Sequence, residues 1–116
     1  MQGNKENIII ERSFRFALKI VEFCEILENE RKFVISRQLL KSGTSIGANV
    51  REAQNAESKV DFIHKMKIAA KEADETEYWL LICQNSPSYS FDDSLLTDLL
   101  EIMKILSKII STSKSG

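Results

Sequence analysis

SGTSIGANVREA, residues 42–53, admits two readings. Its two glycines and three hydroxyl residues suit a loop that cradles a ligand. The same residues also suit a helix with an unusually thin face. Periodicity separates the two. Ile35, Leu39, Ser42, Ile46, Asn49 or Val50, and Ala53 recur at spacings of three and four straight through the stretch, and a loop has no reason to keep that period. A phosphate loop would also need a lysine and a hydroxyl residue after its glycines, and a strand before them. Here Gly47 is followed by Ala48 and Asn49, and no strand pattern precedes it. The segment therefore reads as a helix over about 33–56. Gly43 and Gly47 then stand one turn apart and, with Ser42, Ser45 and Ala48, leave a surface almost free of side chains, to which a second backbone can come close. Each glycine costs about 0.5–1 kcal/mol against alanine in a helix. Two of them imply a compensating close contact, within the chain or between chains, or a kink. Ser42 and Asn49 face the seam, where their polar atoms need partners.

Working outward, three further helices read from period and punctuation. Over about 7–29, Ile10, Phe14, Ala17, Val21 and Cys24 form one apolar row, and Phe16, Ile20, Phe23 and Leu27 form another beside it. Together they are wider than one packing partner needs. Asn29 suits a left-handed helix end. Over about 59–85, Phe62, Met66, Ala69, Ala73, Thr76, Leu80 and Cys83 alternate spacings of four and three, the seam of left-handed helix packing. Ser58 and Asp61 make a capping box at its start, and Pro87 stops it. Over about 92–113, Leu95, Leu99, Ile102, Leu106 and Ile109 form the main row, broadened by Leu96, Leu100, Met103 and Ile110; Ser90 and Asp93 offer a second box. The tail STSKSG reads as frayed. The connections are short, so successive helices run antiparallel: the expectation is an all-α, antiparallel up-down-up-down four-helix bundle, with residues 1–116 as one domain.

Composition agrees with that size of object. The chain has 116 residues, 43% of them hydrophobic and 28% charged, with one proline and four glycines. No apolar run approaches the ~20 residues of a membrane span. The N-terminus, MQGNKENIII, lacks the apolar core of a secretion signal, and two cysteines, Cys24 and Cys83, make no disulfide framework. Both lie on apolar seams, so buried free thiols in a reducing cytoplasm are expected. The net charge of −1 conceals an asymmetry. Lys32 to Lys71 holds eight basic and three acidic residues; Glu72 to Glu101 holds eight acidic residues and no basic one. Such separation suits either a solvated face or a partner surface.

The stretch Leu39 to Leu80, LLKSGTSIGANVREAQNAESKVDFIHKMKIAAKEADETEYWL, resembles the signature of the bacterial four-helix-bundle proteins named after intervening sequences in 23S ribosomal RNA genes. SFRFALKIVEFCEIL, Ser13 to Leu27, is similar to that family's first helix. The resemblance covers nearly the whole chain. It implies an antiparallel bundle that assembles into a ring, typically a homopentamer, without an established molecular function and with no catalytic residues to carry over. It also implies likeness to the accessory protein of diversity-generating retroelements, a pentameric barrel that binds nucleic acid and a reverse transcriptase. The matching positions are Ser42, Ser45, Ile46, Asn49, Glu52 and Ala53 on the second helix, and Asp61, Phe62, Lys71, Glu72, Glu75 and Trp79 on the third. With Gly43 and Gly47 they are expected to be packing or interface residues.

Candidate chemistry is sparse. His64 is the only histidine, and a carboxylate-bridged metal pair in a bundle needs two Glu-x-x-His units. Only Asp61-x-x-His64 is present, so no metal or other cofactor is expected. No serine–histidine–carboxylate pattern supports catalysis, and Glu72, Asp74, Glu75 and Glu77 read as a solvated or salt-bridged face. Arg37, Lys41, Arg51, Lys59, Lys65, Lys67 and Lys71 could line a surface for phosphates. A pI of about 5.9 argues against a dedicated nucleic-acid binder. The same residues could instead meet the acidic half of a neighbouring subunit in a head-to-tail ring. The expectation is thus a non-enzymatic, self-associating scaffold or adaptor in the cytoplasm, not a membrane protein. Its partner is itself, with RNA, DNA or a partner protein as further possibilities.

Overall fold

Residues 4–115 are described by a computed structural model, and four α-helices account for most of them: α1 Asn4–Asn29, α2 Phe33–Ala53, α3 Lys59–Asn85 and α4 Asp93–Ser115. There is no strand among the described residues. They fill 47 × 21 × 18 Å, the proportions of helices of 21–27 residues lying side by side. The core is one apolar cluster fed by all four helices. α2 packs extensively on α1 and α3, whereas α4 sits more loosely against α3 and α1. No described helix is long and apolar enough to cross a membrane.

Cross-helix contacts fix the register. Between α1 and α2, Ile20 lies against Gly43 and Ser13 against Gly47. The Ser36 hydroxyl donates to the Cys24 carbonyl at 3.2 Å, and the Cys24 thiol donates back to the Ser36 carbonyl at 3.4 Å. Between α2 and α3, the buried Ser42 and Thr76 hydroxyls stand 2.9 Å apart in a hydrogen bond, and Lys65 pairs with Glu52 at 3.1 Å. Between α1 and α4, Arg12 meets Glu101 at 2.6 Å and Lys19 meets Asp98 at 2.5 Å. In every pair, rising numbers on one helix meet falling numbers on the other.

The α3 seam is buried from Met66 to Cys83, with Phe62 half-buried at its start. The α1 pattern divides differently from the sequence reading. Ile9, Ser13, Phe16, Ile20, Phe23, Cys24 and Leu27 enter the core, while Ile10 and Ala17 are only partly covered and Phe14 and Val21 are exposed. Both rows are apolar, and only one can point at the bundle axis. Ser13 is tolerated inside because its hydroxyl donates to the Ile9 carbonyl at 2.6 Å.

The helix ends bring corrections. The left-handed residue after α1 is Arg31, at φ 64°, and not Asn29, which remains helical. α2 stops at Ala53 and not near Ala56, tightening through Gln54, Asn55 and Ala56, whose amides donate to the carbonyls of Arg51, Glu52 and Ala53. Ser58 caps α3 by accepting from the Asp61 amide at 3.0 Å; Asp61 reciprocates one residue early, accepting from the Glu57 amide at 3.2 Å. Ser90 does not cap α4. Its amide and hydroxyl donate to the Glu30 carboxylate, and Asp92 takes the capping role by accepting from the Ser94 amide at 2.9 Å. Hydrogen bonding from Ser94, by its hydroxyl first and its amide second, holds the Asp92 carboxyl below the usual carboxylate range. α4 runs through Ser111 to Ser115, where the sequence suggests a frayed tail. Met1–Gly3, within the stretch read as lacking a secretion signal, and Gly116 of the tail lie outside the described residues.

Candidate interaction surface

The two glycines of α2 meet α1 of the same chain. A Cβ on Gly43 would stand 2.9 Å from Cγ2 and 3.0 Å from Cγ1 of Ile20, inside any real contact; one on Gly47 would stand 3.3 Å from the Ser13 carbonyl oxygen. The thin face is what lets α1 and α2 come together. Of the other residues expected to form it, Ser42, Ile46 and Ala53 are buried toward the core. Ser45 and Asn49 bond along their own helix, the Ser45 hydroxyl to the Lys41 carbonyl at 2.6 Å and the Asn49 amide to the Ser45 carbonyl at 2.9 Å. Glu52 is exposed and paired with Lys65. On α3, Glu72 is half-buried and its carbonyl accepts from Thr76 at 2.7 Å; the half-buried Trp79 ring donates to the Glu75 carboxylate at 3.1 Å. Of these residues, Ser42 and Glu52 reach α3, through Thr76 and Lys65, while Gly43 and Gly47 face α1.

Closing α1 onto α2 leaves apolar side chains outside. Phe14 is 50% exposed, Leu18 51% and Val21 40%, against 0% for Ile20 in the neighbouring row. A groove of about 210 Å³ runs beside them between Ile10, Phe14 and Ala17 of α1 and Thr44, Gly47 and Ala48 of α2. Val21 continues the α1 row one turn beyond Ala17, and the exposed Leu40 continues the α2 row one turn before Thr44. The Arg51 guanidinium, 5.8 Å from the centre of the Phe14 ring, closes one end. Single exposed apolar residues are ordinary; a row of them on two adjoining helices marks a contact surface. The sequence put Phe14 and Val21 in one apolar row of a face too wide for one partner, the signal that some of it stays outside.

The basic residues do not converge. Arg37 and Lys41 lie on the first half of α2, and Arg51 lies fourteen residues after Arg37, roughly 21 Å along the axis. Lys65 is engaged by Glu52. Lys59, Lys67 and Lys71 are exposed along the first half of α3, and His64 is exposed among them. Lys114, absent from the basic set read from the sequence, joins them across the α3–α4 groove. The closeness of its positive charge pulls Lys67 below the ordinary lysine range. Among the described residues, no group of three or more His, Cys, Asp or Glu side chains is placed to hold a metal ion. Cys24 and Cys83 are free and buried. Burial, reinforced by Cys24, pushes the Cys83 thiol up to about 11, and burial also raises Cys24, so neither is poised as a nucleophile.

Fold and surfaces together define a small all-α protein of four helices with a bare glycine seam inside and an apolar row outside. The family model of the 23S rRNA-intervening sequence protein matches residues 5–111, and the chain belongs to that family. It is also similar to a crystal structure, at 1.70 Å, of a protein of unknown function from the S23 ribosomal protein family of Bacteroides thetaiotaomicron. The two share 47% identity over 92% of this chain and 98% of that one, with a TM-score of 0.87. No curated protein matches the chain.

Proposed function

We propose that this chain is an antiparallel up-down-up-down bundle that acts without catalysis, as a self-associating cytoplasmic scaffold or adaptor built as a homopentamer. The opposed numbering of every cross-helix pair supports the topology. One observation carries the self-association: the exposed row of Phe14, Leu18 and Val21 beside the α1–α2 groove. Water on those side chains is unfavourable by about 25 cal/mol per Å² of apolar surface. A sister chain presenting a different surface removes it, and a head-to-tail contact of that kind closes into a ring. Five is the subunit number that the resemblance noted in the sequence favours. The test is analytical ultracentrifugation of the chain and of Phe14→Ser at micromolar concentration. Association of the first, weakened in the second, agrees with the proposal; a monomer at every concentration refutes it.

A second reading, nucleic-acid binding by the assembly, draws on the exposed Lys59, Lys67 and Lys71 with Lys114 beside them. Phosphate contacts release counterions, so such binding weakens steeply with salt. Titration of labelled RNA and DNA at low and moderate salt decides it. Lys67→Glu with Lys71→Glu abolishes salt-sensitive binding if the reading holds and leaves it intact if it fails.

A further inference from the structure

The acidic half of the chain carries an aromatic ridge on the outer side of α3. Tyr78 is 60% exposed there, and Leu81 is exposed beside it. Asp74, Tyr78 and Leu81 follow one another at spacings of four and three, so they share one stripe, and Glu75 flanks it. The half-buried Trp79 buttresses both the charge and the ring. Its N–H donates to Oε2 of Glu75 at 3.1 Å and leaves the other oxygen for a second donor. Its ring meets Tyr78 edge to face, with centroids 5.3 Å apart. Groups held in this way lose less freedom when a partner arrives. No basic side chain among the described residues pairs with Glu75, Lys71 one turn before it included.

The outer face of α2 is the complement. Among the described residues, Arg37, Lys41 and Arg51 stand on it without a carboxylate partner. Glu22 and Glu25 of α1 offset the first two at the Val21 end of the apolar row. Arg51 has no such offset, and its guanidinium lies over Phe14 at the other end. α1 and α3 are diagonal in the bundle, each packing on α2 and α4. Within one chain the apolar row therefore cannot reach the ridge. Nor does Arg51 reach Glu75: the pairing of Glu52 with Lys65 sets it roughly 13 Å away along the axis.

We propose that the apolar row of Phe14, Leu18 and Val21 seats the α3 ridge of a second copy of this chain. The second copy's Tyr78 and Leu81 lie on the row, and its Glu75 meets Arg51. The inference rests on the self-association proposed above and names the surface that completes it. The two faces are different, as a head-to-tail contact requires, and every chain offers both. Tyrosine, tryptophan and arginine are the side chains that most often anchor interfaces. A guanidinium stacked on a ring keeps its N–H edges for a carboxylate, and the unused oxygen of Glu75 supplies one.

Sedimentation velocity of the full chain and its variants over a concentration series tests the pairing, with far-ultraviolet circular dichroism as the check on folding. Arg51→Glu and Glu75→Arg each set like charges against one another, and each is expected to weaken association about tenfold or more. Both changes in one chain are expected to bring association back to within about threefold of the parent. Such rescue arises only between chains, given the separation within one. Glu75→Gln keeps an acceptor for the Trp79 ring and removes the charge alone; it is expected to weaken association several-fold. Tyr78→Ser is expected to weaken it about tenfold, and Val60→Ser, exposed at the other end of α3, to leave it unchanged. Single reversals that weaken association without rescue in the double variant overturn the pairing. Association that Phe14→Ser weakens but Tyr78→Ser and both Glu75 variants leave unchanged assigns the row to another surface; it overturns the pairing and leaves self-association standing. A parent chain that stays monomeric at every concentration overturns both.

Discussion

Gly43→Ala puts the α1–α2 seam to a quantitative test. The new Cβ would stand 2.9 Å and 3.0 Å from the two γ carbons of Ile20, a side chain with no exposed surface to retreat into. Two effects oppose one another. Alanine improves helix propensity by about 1 kcal/mol. Overpacking a full core costs about 1–3 kcal/mol, because the neighbouring side chain or the helix must move. The net change is then a destabilisation of roughly 0–2 kcal/mol, too broad a range to decide anything alone. A double-mutant cycle isolates the clash. Ile20→Ala removes both offending carbons and by itself costs about 2–5 kcal/mol through the cavity it leaves. In that background the new Cβ meets only the retained Cβ of residue 20, at 3.4 Å and in ordinary contact, so the propensity gain dominates and the second substitution becomes stabilising. The expected coupling is about 1–3 kcal/mol. Urea unfolding followed by circular dichroism at one fixed protein concentration measures it, since association would make stability concentration-dependent. A coupling below about 0.5 kcal/mol, the usual error of additivity, would refute the close approach of the two helices.

Three further outcomes follow from the same contacts. Thr76→Val leaves the buried Ser42 hydroxyl with only a long 3.5 Å bond to the Leu39 carbonyl and should destabilise by about 1–3 kcal/mol in urea unfolding, with most of the loss recovered in Thr76→Val/Ser42→Ala. Asp92→Ala should cost about 0.5–2 kcal/mol at pH 7 as a lost helix cap. Because folding lowers this carboxyl, its contribution is present above the unfolded pKa and fades as pH falls through the folded one, so the variant and the parent should converge in acid melts. The Cys83 thiol, pushed up to about 11 from 9.0, favours the folded chain fully below pH 9, and that share is lost as pH rises through 11. Alkylation by iodoacetamide at pH 8 should therefore be slow in the folded chain and fast in urea.

Much of this architecture is legible in the residues themselves, and the exceptions have physical causes. The α3 seam from Phe62 to Cys83 reads directly, because one apolar row on a polar helix can point only one way. α1 carries two adjacent apolar rows, and local periodicity cannot say which faces the axis; the ambiguity is resolved by α2, whose glycines admit Ile20 and Ser13. The spacing of Ile9, Ser13, Phe16 and Ile20 is regular, but a serine disguises it until its bond to the Ile9 carbonyl is seen. Ser90 resembles a cap locally and is drawn away by Glu30, sixty residues earlier. The seven basic residues read as one surface are divided because helical rise carries Arg37 and Lys41 far from the start of α3. The closeness of Lys114 to Lys67 leaves no local trace, since it depends on the register of two helices joined through Pro87.

The measurement closest to the central claim is the mass of the particle in solution, by sedimentation or native mass spectrometry at micromolar concentration. The exposed row of Phe14, Leu18 and Val21 predicts a discrete assembly, which the proposed homopentamer puts near five times 13.2 kDa, and a shift toward smaller species in Phe14→Ser. Half of the Phe14 side chain lies open to solvent, so its loss should weaken each contact by about 1 kcal/mol, several-fold in affinity. A particle of 13.2 kDa at every concentration, or an assembly that Phe14→Ser leaves unchanged, contradicts the account.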